Sequence, residues 1–231
     1  MNLSAEILGL FVGKIETLWP GKPSSAIAKV PATSVLQIEE LGFVGDSQAD
    51  LRVHGGPEKA LHHYASEHME YWREQFPDSV ERFRPGCFGE NISTVGIDEH
   101  NLCIGDVLSL GTATVQVCQG RQPCWKLNSH LGIKELAKAF QTSARTGWYY
   151  RVLKSGHAGV GDRIELIDRL NPDWPLVRVI EARFNPRLEL SVARELAALS
   201  QISERWRDAF TKKSVAGFKE NTDSRLKGES D

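Results

Sequence analysis

Short apolar runs separated by glycine recur along the chain and predict β-strands. We expect strands over residues 6–19, 24–30, 102–104, 107–110, 113–118, 147–153 and 163–167. In the middle of the chain, Gly105-Asp106 and Gly111 supply the turns between neighbouring runs. Short strands joined by glycine turns at this spacing are typical of a β-barrel or a β-sandwich rather than of a parallel sheet.

Apolar side chains spaced three to four residues apart mark the helical parts of the chain. This spacing predicts an aromatic-rich helix over residues 58–76 and a short helix over residues 133–141. The segment Asn171-Pro-Asp-Trp-Pro175 marks a boundary. Beyond it the apolar pattern changes to a helical period in three segments, over residues 177–184, 191–199 and 203–214.

These patterns predict a mainly β protein with added helices and divide the chain into three parts. Residues 1–170 form the β-rich domain, residues 171–216 a small three-helix segment, and residues 217–231 a polar tail that we expect to be flexible. Helices this short are marginal alone in water, because too few hydrogen bonds offset the cost of nucleation. Their apolar faces must therefore be covered by each other or by the β-rich domain.

Composition and charge exclude several classes of function. The chain has 231 residues, of which 41% are hydrophobic and 25% charged, and its formal net charge is -2. Nothing in that balance favours binding to nucleic acid or to a membrane surface. The apolar run at residues 7–12 has no basic segment before it, and no run approaches the length of a membrane span. The four cysteines form no Cys-x-x-Cys pair, so a reduced, cytoplasmic protein is expected.

Cys124 is the best candidate for a chemically active side chain. It lies between Arg121 and Lys126, and Pro123 fixes the backbone just before it. Thiols beside fixed positive charge ionise more readily, and the thiolate is the form that attacks electrophiles or binds soft metals. Gly120 and Pro123 end the preceding strand-like run, which predicts that Cys124 lies on a loop. The alternative is a small buried hydrophobic residue, which is what most free cysteines are.

A second candidate feature is the glycine-rich segment His54-Gly55-Gly56-Pro57, with Arg52 and Lys59 on either side. Two glycines before a predicted helix leave backbone N–H groups available to an anion. Lys22 and Lys29 are further candidates for an anion contact, although a solvated surface lysine is the commoner case.

Two other polar groups have open interpretations. Glu90 and Asn91 are either site residues or turn formers. His62, His63 and His68 do not have the spacing of a zinc site, and their aromatic neighbours favour packing.

A series of short motifs recurs in order over residues 25–167. They are Gly42-Phe-Val-Gly-Asp46, Gln48-Ala-Asp50, Val53-His-Gly-Gly-Pro57, Phe88-Gly-Glu-Asn91, Gly105-Asp106, Arg121-Gln-Pro-Cys-Trp-Lys-Leu-Asn128, Gly147-Trp-Tyr149 and Gly161-Asp162. In their number and order these motifs resemble the MOSC domain family, named for the C-terminal domain of molybdenum cofactor sulfurases, and within it the bacterial YiiM type. The helices after Trp174 resemble the three-helix extension of YiiM-type members.

The resemblance implies a β-barrel-like domain that binds molybdenum cofactor, a pterin dithiolene carrying a phosphate (Mo-molybdopterin). It assigns Cys124 as the catalytic and metal-binding residue. A soft thiolate suits molybdenum already held by sulfur, and cationic side chains with free backbone N–H groups suit a phosphate. The residues expected to bind the cofactor are Lys22, Lys29, Arg52, His54, Gly55, Gly56, Asn91, Arg121, Lys126 and Asn128.

Three hypotheses for function follow from the resemblance. The first is a molybdenum-cofactor-dependent reductase of small N-hydroxylated compounds, such as 6-N-hydroxylaminopurine. The chain has no flavin or iron–sulfur motif, so its electrons would come from a separate electron-transfer protein. The second is a non-catalytic carrier of sulfur or cofactor that uses Cys124, and the third is a structural barrel with an inert cysteine. A homodimer is one candidate assembly, and neither nucleic acid nor a membrane is an expected partner.

Overall fold

The computed structural model describes residues 3–50 and 55–228. The strands are β1 Ser4–Gly13, β2 Lys29–Pro31, β3 Leu36–Glu39, β4 Gly42–Phe43, β5 Leu61–Ala65, β6 Ile92–Thr94, β7 Val107–Leu110, β8 Ala113–Gly120, β9 Trp148–Lys154, β10 Gly156–Ala158 and β11 Arg163–Asp168. The α-helices are α1 His68–Gln75, α2 Trp125–Leu131, α3 Leu136–Ser143, α4 Leu176–Phe184, α5 Leu190–Ala198, α6 Glu204–Lys213 and α7 Asp223–Lys227. Short 3-10 helices cover Pro57–Lys59 and Pro77–Arg82.

Seven of these strands close into a barrel in the order β1, β11, β7, β8, β9, β5, β6. The barrel closes where β1 pairs antiparallel with β11, with Ser4 opposite Glu165 and Glu6 opposite Arg163. β5 and β6 run parallel, and the other neighbouring barrel strands run antiparallel. The mainly β fold with added helices is confirmed. The pairing also decides for a barrel over a sandwich, because β1 has a partner on both edges.

Smaller strands extend one end of this barrel. β2 pairs with the end of β1, and β10, β3 and β4 form a separate three-stranded sheet. The sequence pattern predicts neither β3 nor β4, because these strands have only four and two residues. Residues 102–104 contribute an isolated bridge between Cys103 and Pro175 rather than the predicted strand.

The predicted helix over residues 58–76 is wrong in its first half. Residues 61–65 form β5, which lies in the middle of the barrel wall, and helix α1 begins only at His68. Every residue of β5 is buried, so the strand lacks the alternation of polar and apolar residues that marks a strand with one wet face. A short run buried on both faces cannot be distinguished from a helix by periodicity alone.

The C-terminal helices pack against the barrel. Leu176, Ile180 and Trp206 belong to the same apolar cluster as the barrel core. Gly120, the last residue of β8, permits this approach, because a Cβ at that position would collide with Ile180 and Trp206. The prediction that the helices need a cover for their apolar faces agrees with this packing. The division of the chain at residue 170 stays a prediction.

The segment after α6 also contacts the rest of the molecule. Helix α7 lies against α2, and Leu226 packs on a second apolar cluster that contains Leu127 and Phe140. That residues 217–231 form a flexible tail stays a prediction. Within residues 3–50 and 55–228, no helix has the length and apolar character required to cross a membrane.

Candidate functional site

One cavity collects five of the side chains predicted from the sequence. They are Lys29, Asn91, Arg121, Cys124 and Lys126. They come from the first residue of β2, the residue before β6, the loop after β8 and the first turn of α2. Residues separated by almost a hundred positions along the chain therefore share one space.

The loop that carries Cys124 connects β8 to α2. Gly120 ends the strand, and Cys124 has extended backbone angles directly before the helix begins at Trp125. Arg121 fixes the start of the loop, because its N–H donates to the Gly147 carbonyl at 2.9 Å and its Nη1 donates to the Phe88 carbonyl at 2.5 Å. The sequence predicted the loop position of Cys124 but missed the helix that follows it.

The four cysteines differ in their surroundings. Cys124 is half-buried and lines the cavity, whereas Cys87, Cys103 and Cys118 are buried. Burial raises the pKa of the Cys118 thiol to about 12, and its Sγ lies 3.1 Å from the Glu58 carbonyl. All four lie in the described part of the chain, and none forms a disulfide. Cys124 is therefore the cysteine that a ligand in the cavity meets.

Asp46 organises one wall of the cavity. Its carboxylate accepts from Lys29 Nζ at 2.5 Å, from Asn91 Nδ2 at 2.8 Å and from the Gly13 N–H at 2.7 Å. Burial lowers the pKa of Lys29, although the neighbouring Asp46 carboxylate opposes that shift. The sequence pattern indicates no partner for Asp46. It misses the pairing because Lys29 and Asp46 meet only when the barrel closes.

Lys59 and Tyr149 form a second wall; the sequence analysis named Lys59 beside the glycine pair, but neither residue is in the expected cofactor-binding set. Lys59 ends the 3-10 helix, and its Nζ lies 5.9 Å from the centre of the Tyr149 ring. Burial lowers the pKa of Lys59 to about 8, and the charge of Arg205 acts in the same direction. Burial also raises the pKa of Tyr149. The signal available in the sequence was the position of Lys59 just after the glycine pair.

His62 lines the cavity as well. Its side chain is almost fully buried, and neither ring nitrogen has a well-directed hydrogen-bond partner among the described residues, although backbone groups of Thr146 and Gly89 lie near enough to oppose the shift in its pKa. Burial holds the pKa of His62 well below its ordinary value, and the charge of Arg121 lowers it further. A buried imidazole without a partner is costly unless a ligand or water completes its hydrogen bonds.

The other two histidines have structural roles. His63 Nδ1 lies 3.0 Å from the Tyr150 hydroxyl, and its Nε2 lies 2.8 Å from that of Thr94. His68 Nε2 lies 2.6 Å from a Glu99 carboxylate oxygen. Along residues 3–50 and 55–228, no three His, Cys, Asp or Glu side chains cluster as metal ligands would.

Lys126 projects into the cavity from α2. It is buried, and its Nζ donates to the Ser24 carbonyl at 3.2 Å. Together with Lys29, Lys59 and Arg121 it makes the described lining strongly cationic, and Asp46 is the acidic residue on the same lining. The cavity is thus suited to a ligand with several negative charges.

Two predicted cofactor residues lie elsewhere. Lys22 is exposed and donates to the Gly228 carbonyl at 3.1 Å. Asn128 donates through Nδ2 to the Leu226 carbonyl at 3.2 Å and accepts from the Ala137 N–H at 2.7 Å. Neither side chain lines the cavity, and each forms hydrogen bonds to the backbone of other residues in the chain.

The glycine pair, Gly55 and Gly56, is connected to the cavity lining by Gln48. The Gly56 N–H donates to Gln48 Oε1 at 2.8 Å, and Gln48 lines the cavity. That N–H is therefore satisfied within the protein, whereas the sequence had predicted that it would be available to an anion. Arg52 and His54 lie outside the described residues.

The sequence profile of the MOSC domain matches residues 50–165. The chain belongs to the MOSC domain family. The matched range contains the cavity residues from Lys59 to Tyr149, whereas Lys29 and Asp46 precede it. In this MOSC protein, one cavity wall is therefore supplied by residues outside the matched domain.

Known proteins similar to this chain cover most of its length. Protein YiiM of Escherichia coli strain K12 is 36% identical over 219 residues, which are 95% of this chain and 97% of that protein. The crystal structure of YiiM from Escherichia coli superposes with a TM-score of 0.80 and 29% identity, covering 96% of this chain and 98% of that one. A protein named "Reductase" from Gibberella moniliformis is 36% identical over 167 residues, 71% of this chain and 30% of its own length.

Proposed function

We propose that this MOSC protein binds molybdenum cofactor and reduces small N-hydroxylated compounds, such as 6-N-hydroxylaminopurine. Its electrons would come from a separate electron-transfer protein. The observation that carries the proposal is the cavity in which one cysteine, Cys124, lies among four cationic side chains. The name "Reductase" of one relative supports a redox reaction over simple binding.

The cavity residues suit the cofactor in two respects. Lys29, Lys59, Arg121 and Lys126 match a ligand that carries a phosphate. Cys124 offers one soft sulfur, and the described residues present no cluster of three further metal ligands. A metal at this position would therefore need most of its ligands from its own cofactor, which is what a dithiolene provides.

His62 gives independent support for a bound ligand. Its two ring nitrogens have no partner among the described residues, and the ring borders the cavity. Removing a histidine from water without hydrogen bonds costs free energy that packing alone does not return. A pterin, with several ring nitrogens and an oxygen, could supply the missing donor or acceptor.

Each cavity residue has a role in this proposal. Cys124 Sγ would bind the metal, Arg121 and Lys126 would hold anionic groups, and Asp46 would keep Lys29 and Asn91 in place. When bound, the cofactor would supply two-electron redox chemistry for removal of oxygen from the substrate. Reduction of an N–O bond to N–H and water also takes up two protons. Lys59 Nζ can hold a proton beside the cavity at neutral pH, because its pKa is about 8.

The test compares the protein purified from cells able and unable to make the cofactor. We expect molybdenum only in the first preparation, together with turnover of a hydroxylamine substrate driven by a chemical reductant. Cys124→Ser should remove both, and the matched variant Cys103→Ser, outside the cavity, should retain both. Bound cofactor without turnover would instead indicate the carrier, and protein without molybdenum in either preparation would contradict the proposal.

A further inference from the structure

The C-terminal segment, defined here as residues 220–228, binds the loop that carries Cys124. Arg225 Nη1 donates to the carbonyl of Pro123, the residue directly before Cys124. The other arm of the guanidinium, Nη2, donates to Gln141 Oε1 on α3 at 2.6 Å. One side chain therefore connects the Cys124 loop to a helix, from about a hundred positions farther along the sequence.

Further contacts fix the C-terminal segment beside this loop. Leu226 packs on the apolar cluster that contains Leu127, and its carbonyl accepts from Asn128. The Gly228 carbonyl accepts from Lys22, whose ammonium group also lies 5.4 Å from the centre of the Trp125 ring. Lys22 and Asn128, expected from the resemblance to bind cofactor, here bind the C-terminal segment.

The start of the segment is anchored on the C-terminal helices. Glu220 accepts two hydrogen bonds from the Arg183 guanidinium, at 2.6 Å and 2.7 Å. Arg183 is buried on α4, and a two-point arginine–carboxylate pair is among the stronger contacts a side chain can make. The segment is thus held at both ends, with Arg225 between them.

The charge on Arg225 is retained at neutral pH. Burial lowers its pKa to about 10, and the charge of Arg183 acts in the same direction, while Glu220 and Cys124 oppose the shift. A charged donor to a backbone carbonyl forms a stronger hydrogen bond than a neutral one.

We propose that Arg225 is a positioning residue that fixes the Pro123 carbonyl and thereby holds Cys124 at the cavity. The functional meaning of this contact rests on the proposed role of Cys124, but the contact can be tested without cofactor. Arg225 itself does not line the cavity, so it acts through the loop and not on a ligand.

Hydrogen–deuterium exchange on the full chain tests this role. In Arg225→Ala we expect amides of residues 121–128 to exchange about tenfold faster, the factor that follows from losing one charged hydrogen bond. The Leu127 N–H, which donates to the Cys124 carbonyl, is a direct reporter. Arg225→Lys keeps a charged donor and should restore part of the protection. Leu226→Ala should act in the same direction and covers the case in which Arg225→Ala does not fold.

The matched control is Arg178→Ala, because Arg178 stacks on Trp174 at a distance from the Cys124 loop and also donates to a backbone carbonyl. It should leave exchange in residues 121–128 unchanged. Any of three results would overturn the proposal. Amide exchange in residues 121–128 could be unchanged in Arg225→Ala, it could rise equally in β1 and β11, or Arg225→Lys could restore none of the protection. Failure of the wild-type chain to load molybdenum would contradict the proposed function and leave the exchange result standing.

Discussion

β5 carries two neighbouring buried histidines, and they differ in what their ring nitrogens contact. His63 lies against the core residues Trp148 and Tyr150, and both of its ring nitrogens have hydroxyl neighbours within hydrogen-bond distance. His62 lines the cavity, and its ring nitrogens have no partner among the described residues. The protein itself completes the hydrogen bonds on the core side, whereas those on the cavity side are the ones that we propose a ligand to complete.

The cysteines at the end of β8 repeat this difference. Cys118 is buried in the strand and contacts the Glu58 carbonyl, whereas Cys124, six positions later, is half-buried at the cavity. The strand thus contributes a structural cysteine and leads directly to the one that we propose to be functional. The following predictions test whether this separation between core and cavity holds.

The largest effect is expected for Cys124→Ala, which should abolish turnover while changing the free energy of unfolding by at most about 1 kcal/mol. The small side chain supports no part of the core, so the fold should survive its loss. Turnover with a chemical reductant and urea unfolding measure the two quantities. Full activity with molybdenum bound in this variant would show that Cys124 is not the ligand.

Arg121→Glu should weaken cofactor retention by about one to two decades, because a charged hydrogen bond to phosphate contributes roughly 1.5–3 kcal/mol. Lys212→Glu is the matched control, since Lys212 is exposed on α6. Arg169 is a poor control because it forms an ion pair with the buried Asp106 at 2.7 Å. Equal molybdenum content in the Arg121 and Lys212 variants would exclude Arg121 from the binding site.

The same substitution at the two histidines should separate stability from binding. His63→Leu leaves the Tyr150 and Thr94 hydroxyls without their partner and should cost about 1–3 kcal/mol for each buried group. His62→Leu removes a buried polar group that has no described partner, so its stability should change much less while cofactor retention falls. Urea unfolding and metal analysis of both variants provide the comparison. Equal losses of stability would contradict the assigned difference.

The smallest effect is a pH dependence of anion binding. Lys59 loses its proton as the pH rises through about 8, so affinity for a phosphate-bearing ligand should fall severalfold between about pH 7 and 9. Lys59→Arg keeps the charge and should flatten this profile, which titration with pyrophosphate would record. An unchanged slope in the arginine variant would assign the dependence to another group.

The lowered pKa of Lys59 also makes the free energy of unfolding depend on pH, with a sign opposite to that of a lysine stabilised by an ion pair. The pKa of Lys59 is about 8 in the folded chain, compared with 10.5 for an ordinary lysine. Between pH 8 and pH 10.5 the unfolded state therefore binds more protons than the folded state. The cost of burying the charged lysine is present below pH 8 and is relieved as the pH rises toward 10.5. This contribution to stability should be absent in Lys59→Met, whose unfolding can be followed across the same range.

The sequence alone was sufficient for most of the β-rich architecture and for three of the side chains that line the cavity. β7, β8 and β11 follow from short apolar runs with turn residues at their ends. Cys124, Arg121 and Lys126 could be selected together because their chemistry is visible over six adjacent positions.

Tertiary structure alone decided which distant residues share that cavity. β5 was misread because burial on both faces removes the periodic signal, and His62 on that strand was therefore taken as packing. Lys29, Asp46 and Lys59 meet Cys124 only after the barrel closes, so no local pattern reveals their contacts. The contacts of Lys22 and Asn128 depend on the fold for the same reason, since hydrogen bonds to residues 228 and 226 depend on where the chain returns, and their expected role in cofactor binding stays a prediction. Local sequence reports the chemistry of a side chain, and its neighbours are set by chain topology.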